Sequence, residues 1–411
     1  MIAEAASPMR PVGAGEALAI EGGRPVRDSY LPYGRQSVSE QDIDAVAAVL
    51  RGDWLTQGPK VAELERAVAE AAGAAYGVAI ANGTAALHTA IAAAGVGPGD
   101  EVITSPLTFV ASANAALYVG AEARFADIDP RTGNIDPEAV ERAITPRTRA
   151  IVGVDFAGHP CDWERLSRLA LAHGVTLIAD GAHSLGASCQ GRPVGSLADM
   201  TAFSFHPVKL ICAGEGGMLT TNSEDLARRA ANFRTHGITR DPGEIDGAQG
   251  GWYYEMQSLG FNYRLSDIQC ALALSQLGRH GEFLERRRAI AAAYDRALGG
   301  WEMLEIPWRQ PGDEPAWHLY AVRLNLGRLR VGRREVFEAL RAENIGVQVH
   351  YIPVHLQPYY RERFGFKRGD FPRAEQFYER EISLPIFPAM SDGDVGDAID
   401  AVRKVLKRYR R

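Results

Sequence analysis

Between residues 76 and 179 short apolar runs alternate with helix-like segments, and this alternation restricts the fold more than any other feature of the chain. The runs at 76–80, 102–104, 123–126, 150–154 and 175–179 read as strands. The segments between them, 84–94, 110–119, 137–144 and 163–173, read as helices, the third with proline in its first turn. Such alternation implies an α/β fold, a mainly parallel sheet covered by helices on both faces.

Upstream, Ser39-Glu-Gln-Asp42 predicts a helix N-cap with acidic first-turn residues, leading into Ile43, Val46, Val49 and Leu50 at helical spacing. Residues 53–59 read as a loop and 61–72 as a second helix. Beyond Thr221 the pattern changes. Residues 224–233 and 265–298 read as helices, the second interrupted at Gly278 and Gly281. Strands are expected at 318–324 and 347–351, and helices at 334–343 and 395–409. This α+β layout predicts a smaller C-terminal domain, 291–411, after a large domain, 29–290. Residues 1–28, rich in Ala, Gly and Pro, read as a flexible leader without the basic-then-apolar layout of a signal peptide.

Composition narrows the class. The formal net charge of -6 argues against general nucleic-acid binding. No window reaches about 18 unbroken apolar residues, so no membrane span is expected. Cys161, Cys189, Cys212 and Cys270 are scattered without metal-ligand spacing and suit reduced thiols of a cytoplasmic protein. His350 and His355 fit no helical metal motif, so no metal is expected.

The strands end in residues suited to one ligand. Ala81-Asn-Gly-Thr84 lies between the first strand and a small-residue helix. Free N–H groups at a helix N-terminus, with the positive end of the helix dipole behind them, make an anion site. The loop carries neither dinucleotide nor nucleoside-triphosphate glycine motifs. Phe109 follows the next strand, where an aromatic ring suits a flat ligand. Asp180 closes an apolar strand at the carboxyl end, where open α/β sheets bind ligands. A buried carboxylate there needs a cationic partner, such as a protonated pyridine nitrogen. His183 lies three residues on.

Thr201-Ala-Phe-Ser-Phe-His-Pro-Val-Lys209 then brings a serine and a lysine onto a turn between two apolar runs. Burial lowers the pKa of a lysine and suits Schiff-base chemistry. Gly214-Glu-Gly-Gly217 either lets the backbone pass close to a ligand or simply enters the next strand. Each feature alone has a plain structural alternative: a turn, a core aromatic, a capping carboxylate, a solvated lysine. Together they supply what pyridoxal 5'-phosphate requires, namely a phosphate cradle, a ring contact, an acid for the ring nitrogen and an amine for the aldehyde.

Asn82-Gly-Thr-Ala-Ala-Leu87, Asp180-Gly-Ala-His183, Ser204-Phe-His-Pro-Val-Lys209, Gly214-Glu-Gly-Gly217 and Gly260-Phe-Asn-Tyr-Arg264 resemble the DegT/DnrJ/StrS family of sugar-nucleotide aminotransferases. The resemblance runs from about Tyr33 to the end of the chain. It implies the fold type I architecture of pyridoxal phosphate enzymes and a homodimer with shared active sites. Carried over by motif, it makes Lys209 the amine that bonds the cofactor aldehyde and Asp180 the partner of the pyridine nitrogen. It stacks Phe109 on the ring, sets His183 beside it and gives the phosphate to Gly83, Thr84 and Ser204. Asn262 would reach the phosphate of the neighbouring subunit.

Leu31-Pro-Tyr-Gly-Arg35, Asp53-Trp-Leu-Thr-Gln-Gly58, His236-Gly-Ile-Thr239 and Gln348-Val-His-Tyr351 with Pro353 are similar to the pseudaminic acid branch of that family. This likeness implies glutamate-dependent amination, with release of 2-oxoglutarate, at C4 of a UDP-linked 4-keto-6-deoxy-N-acetyl-hexosamine. It places Tyr33, Asp53, Trp54, Leu55, Thr56, Gln348, His350 and Tyr351 around the sugar nucleotide. The rival expectations are a sister enzyme with a different keto-sugar (other stereochemistry, C3, or dTDP-linked) and a non-catalytic ligand sensor.

Overall fold

The computed structural model describes residues 17–246 and 250–411. Its central sheet has seven strands: β1 (Tyr76–Ile80), β2 (Glu101–Thr104), β3 (Glu122–Phe125), β4 (Thr148–Val154), β5 (Thr176–Asp180), β6 (Met200–Ser204) and β7 (Gly217–Thr221). They lie in the order β1-β7-β6-β5-β4-β2-β3. The pairs from β6 through β5, β4 and β2 to β3 are parallel, and β7 runs antiparallel to both β1 and β6. A parallel return needs a crossover, usually helical. Residues 205–216, which join β6 to β7, hold no helix, so the chain turns straight back, and Lys209 rides on that turn.

The helices α1 (Glu40–Leu50), α2 (Pro59–Ala71), α3 (Gly83–Ala93), α4 (Ala111–Tyr118), α5 (Pro137–Ala143), α6 (Trp163–His173) and α7 (Glu224–Arg234) fall where the sequence pattern puts them, within a residue or two at the ends. Ser39 caps α1 reciprocally: Asp42 N–H donates to Ser39 Oγ at 3.3 Å, and Ser39 N–H donates to Asp42 Oδ2 at 2.8 Å. Ala85, Ala86, Ala90 and Ala93 are all buried, so their small side chains let α3 lie close on the sheet. The strand cores Ile151-Val152 and Leu177-Ile178-Ala179 are shielded from both sides, as their unbroken apolar runs require.

The helix expected over 265–298 is two helices, α8 (Asp267–Gly278) and α9 (His280–Leu298). The break falls at Arg279, while Gly281 lies inside the first turn of α9. α9 runs unbroken through the boundary expected at residue 290. Leu284 packs with the core beside the large sheet, whereas Ile290, Tyr294 and Leu298 pack with a second core. That second core covers an antiparallel sheet of β8 (Leu304–Glu305), β9 (Tyr320–Leu324) and β10 (Glu381–Leu384), with α10 (Arg333–Ala342) and later α13 (Asp392–Tyr409) against it.

The strand expected at 347–351 is not formed. Gln348 makes a single bridge to Ser383, and the N–H of His350 then donates to the Glu381 carboxylate at 2.7 Å instead of extending a ladder. Two short helices, α11 (Pro358–Phe364) and α12 (Pro372–Arg380), and β10 were not anticipated. The first sixteen residues of the expected leader lie outside the described residues. Its remainder, 17–28, is docked: Leu18 is fully buried, and the Glu343 carboxylate accepts from Ala19 N–H, Val26 N–H and Lys404 Nζ, each at 2.9 Å. Among the described residues no helix is long and apolar enough to cross a membrane.

Candidate active site

Parallel strands present their carboxyl ends at one edge, and the candidate residues gather there. At the end of β1, Asn82 Oδ1 accepts from Ala85 N–H at 2.9 Å and caps α3, whose first residue is Gly83. A Cβ on Gly83 would lie 2.8 Å from Ser204 Cβ and 3.1 Å from Ser204 Oγ. The bare backbone of Gly83 therefore sets the N-terminus of α3 directly against the hydroxyl that ends β6. Gly217, paired with both Ile80 and Ser204, does the same from the other side: a Cβ there would sit 2.7 Å from the Asn82 carbonyl. The glycine run is thus both a strand entry and a close backbone approach. Thr84 is half-buried in the first turn of α3.

Asp180, at the end of β5, is 6% exposed. Its Oδ2 accepts from Ser112 Oγ at 2.6 Å and its Oδ1 from Ala182 N–H at 3.2 Å. Burial pushes its carboxyl up, and the Ser112 hydroxyl, the Ala182 N–H and the charge of Lys209 pull it back. Lys209 Nζ stands 3.4 Å from His318 Nε2. Burial, opposed by Asp180 and helped by Arg287, brings the Lys209 amine down to about 8. His183 and His318 lie ring against ring, centroids 4.3 Å apart, and burial holds both well below the usual histidine range. His183 Nε2 is 3.1 Å from Tyr351 Oη, and burial pushes that phenol upward so that it stays protonated.

Phe109 is exposed, with its ring 6.2 Å from that of Tyr351. Tyr33 packs on His350 at 5.6 Å, and His350 Nδ1 is 2.9 Å from Ser383 Oγ, which donates to Glu381 Oε1 at 2.5 Å. A continuous group thus runs from Lys209 and Asp180 through His318, His183 and Tyr351 to Phe109, His350 and Tyr33. Gln348 is exposed at the bridge to Ser383. Asp53, Trp54, Leu55 and Thr56 are also exposed, and their backbone is tied to the start of α8, Asp267 N–H donating to Leu55 O at 3.0 Å. Asn262 is exposed beside Tyr263, whose carbonyl accepts from Ala81 N–H at 2.8 Å, just before the N-terminus of α3.

Several site residues escaped the sequence reading. Ser112 lies three residues after Phe109. Asp155 follows β4 and accepts from Cys161 N–H at 2.8 Å, Trp163 Nε1 at 3.1 Å and Ser184 Oγ at 2.7 Å, while burial pushes it up to about 7. Arg287, fully buried, donates to the carbonyls of Trp317, His318 and Ile386 at 3.1, 3.2 and 2.9 Å. His318 precedes β9 from the far end of the sequence. Nothing local in the chain marks these pairings.

The residues present fit pyridoxal phosphate. The cradle is closed to a side chain at Gly83. Asp180 forms no ion pair among the described residues, which leaves its buried charge for a ring N–H. His183 Nδ1 and His318 Nδ1 are buried without a partner. This fold, with a strand-end carboxylate, a half-buried lysine on the β6–β7 turn and a glycine turn at the start of α3, is that of a fold type I pyridoxal phosphate-dependent aminotransferase.

Residues 36–403 match the DegT/DnrJ/EryC1/StrS aminotransferase family. The chain is 43% identical over 382 residues to the spore coat polysaccharide biosynthesis protein SpsC of Bacillus subtilis, covering 93% of this chain and 98% of that protein. Among solved structures, Helicobacter pylori PseC, an aminotransferase of pseudaminic acid biosynthesis, has a TM-score of 0.86 at 31% identity, covering 93% of this chain and 100% of that one. Spr1654 of Streptococcus pneumoniae, described as a sugar aminotransferase and solved in its PLP form, has a TM-score of 0.85 at 31% identity, covering 92% of this chain and 99% of that one. The chain belongs to the DegT/DnrJ/EryC1/StrS aminotransferase family and is a sugar aminotransferase.

Proposed function

We propose that this enzyme transfers the amino group of glutamate to C4 of a UDP-linked 4-keto-6-deoxy-N-acetyl-hexosamine, giving UDP-4-amino-4,6-dideoxy-N-acetyl-beta-L-altrosamine for pseudaminic acid biosynthesis. The observation that carries this reading is the joining of Tyr33, His350 and Tyr351, the motifs of the pseudaminic acid branch, to His183 and Lys209 in one contiguous group. The likeness to PseC supports the same reading.

When bound, pyridoxal phosphate supplies an aldehyde that takes up the amino group and a ring that accommodates an electron pair. The chain does the rest. The N-terminus of α3, with Gly83, Thr84 and Ser204, would bind the phosphate. Asp180, whose Oδ2 accepts from Ser112 Oγ, would receive the ring N–H. Lys209 Nζ, near 8, is neutral often enough at physiological pH to take a proton from one carbon and return it to another. His183, bonded to Tyr351, and Phe109, packed near the same tyrosine, would contact the ring.

Asp53 to Thr56 and Gln348 serve the nucleotide sugar from the exposed rim. On this reading the enzyme works as a homodimer. Trp54, Trp252, Met256 and Leu259 are 58, 74, 63 and 77% exposed on one chain, and a second copy would cover them and bring Asn262 to its neighbour's phosphate. Four free cysteines accord with a cytoplasmic enzyme.

A second reading, another keto-sugar feeding a surface polysaccharide, is favoured by the higher identity to SpsC. Lys209→Ala tests the shared chemistry: turnover should vanish, together with the visible absorbance of lysine-bound cofactor, and a fully active variant would overturn both readings.

A further inference from the structure

His318 does more than fill the core. Arg287 clamps it by bonding its own carbonyl and that of Trp317, a residue held at φ +52°. Gly158 lets the backbone close in, since a Cβ there would lie 3.1 Å from His318 N and 2.6 Å from His183 O. The His183 ring covers the His318 ring at 4.3 Å. A fixed backbone and the His183 ring tilted against it at 38° leave Nε2 aimed at Lys209 Nζ, 3.4 Å away. The other ring nitrogen, Nδ1, is buried with no partner. A buried lone pair left bare is more tolerable than a buried N–H left bare, so the single ring proton belongs on Nε2.

We propose that His318 is a positioning residue for amino transfer: its Nε2–H donates to the lone pair of Lys209 and holds that amine in place as a base. A neutral Nζ accepts this bond. A protonated Nζ has only donors, and would face His318 N–H to N–H unless the ring proton moved to the unpartnered Nδ1. The contact therefore makes Lys209 pass on any proton it takes up. Asp180 works against this by favouring the ammonium form, while Arg287 opposes that form. Burial first, and then the charges of Lys209, His183, Arg287 and His350, keep the imidazole itself uncharged. The proposal rests on Lys209 as the reacting amine.

The test reads the amine directly. Apoprotein is acetylated with limiting acetic anhydride across pH 6–11, and Lys209 labelling is followed by mass spectrometry for the natural protein, His318→Phe and His318→Gln. The natural protein should titrate near 8. His318→Phe keeps the packing and removes the donor, so its midpoint should rise by about one unit, a tenfold loss of free base at neutral pH. His318→Gln keeps an N–H donor and should stay closer to the natural value. The glutamate half-reaction of His318→Phe at pH 7 should slow about tenfold with KM little changed. Should the Phe variant not fold, His318→Asn, too short to reach Nζ, should show the same rise. An unmoved midpoint in a folded Phe or Asn variant overturns the role of His318. Full activity in Lys209→Ala would instead overturn the reading on which it rests.

Discussion

The hydroxyl of Ser112 donates to Oδ2 of Asp180 at 2.6 Å, and Ser112 Oγ is itself 2.7 Å from Thr108 Oγ1. One buried carboxylate is thus steadied from α4, on the crossover between β2 and β3, and the first prediction concerns that bond. A hydrogen bond to a charged group contributes roughly 1.5–3 kcal/mol. Ser112→Ala should raise the Asp180 carboxyl further and weaken the cofactor dissociation constant by about tenfold or more, read by absorbance titration. Unchanged affinity would remove Asp180 from the ring-nitrogen role.

Gly83→Ala would put a methyl 2.8 Å from Ser204 Cβ. Either the N-terminus of α3 or the end of β6 must shift, and the cradle opens. Pyridoxal phosphate should bind about tenfold more weakly or worse. Pyridoxal without its phosphate should bind as before. Equal losses for both would place the phosphate elsewhere.

Arg287→Met removes the donor shared by three buried carbonyls. Unpaired buried acceptors cost roughly 1–3 kcal/mol each, offset in part because a buried charge is also removed. We expect a stability loss of about 2–4 kcal/mol by urea denaturation. Stability within about 0.5 kcal/mol of the natural protein would mean the clamp is idle.

Stability should fall away on both sides of an intermediate pH. Burial brings His88 and His280 to about 4 and His350 to about 3. These rings are neutral when folded but take protons when unfolded, so the stability they confer is full above about 6.5 and lost as pH falls below it. Asp155 and Glu381 act oppositely. Burial raises them to about 7 and about 8, so the folded state keeps protons that the unfolded chain releases above about 4. Stability from these two declines as pH rises from about 4 towards 7–8. Asp155→Asn, neutral in both states, should flatten the alkaline limb of the urea midpoint against pH. An unaltered limb would contradict the buried protonated state.

The parallel sheet was legible because its strands are buried on both faces and therefore read as unbroken apolar runs, as at Ile151-Val152. The cofactor motifs were legible because each lies within a few residues of a strand end. The C-terminal third was less so. β10 carries Glu381, fully buried, among its four residues, and its partners lie across the chain at Tyr320 to Arg323. Pro358 and Pro372 begin the two unanticipated helices at the position where proline is tolerated. At the site, local motifs pointed to Asp180 and Lys209. His318, Arg287 and Asp155 owe their roles to contacts between segments far apart in sequence, which no spacing encodes.

The most direct measurement supplies the enzyme in its pyridoxamine phosphate form with one candidate keto-sugar at a time and follows the return of pyridoxal phosphate absorbance with the mass of the product. The account predicts rapid return with the UDP-linked 4-keto-6-deoxy-N-acetyl-hexosamine and a product carrying an amino group at C4. Return only with a dTDP-linked or 3-keto sugar would contradict it.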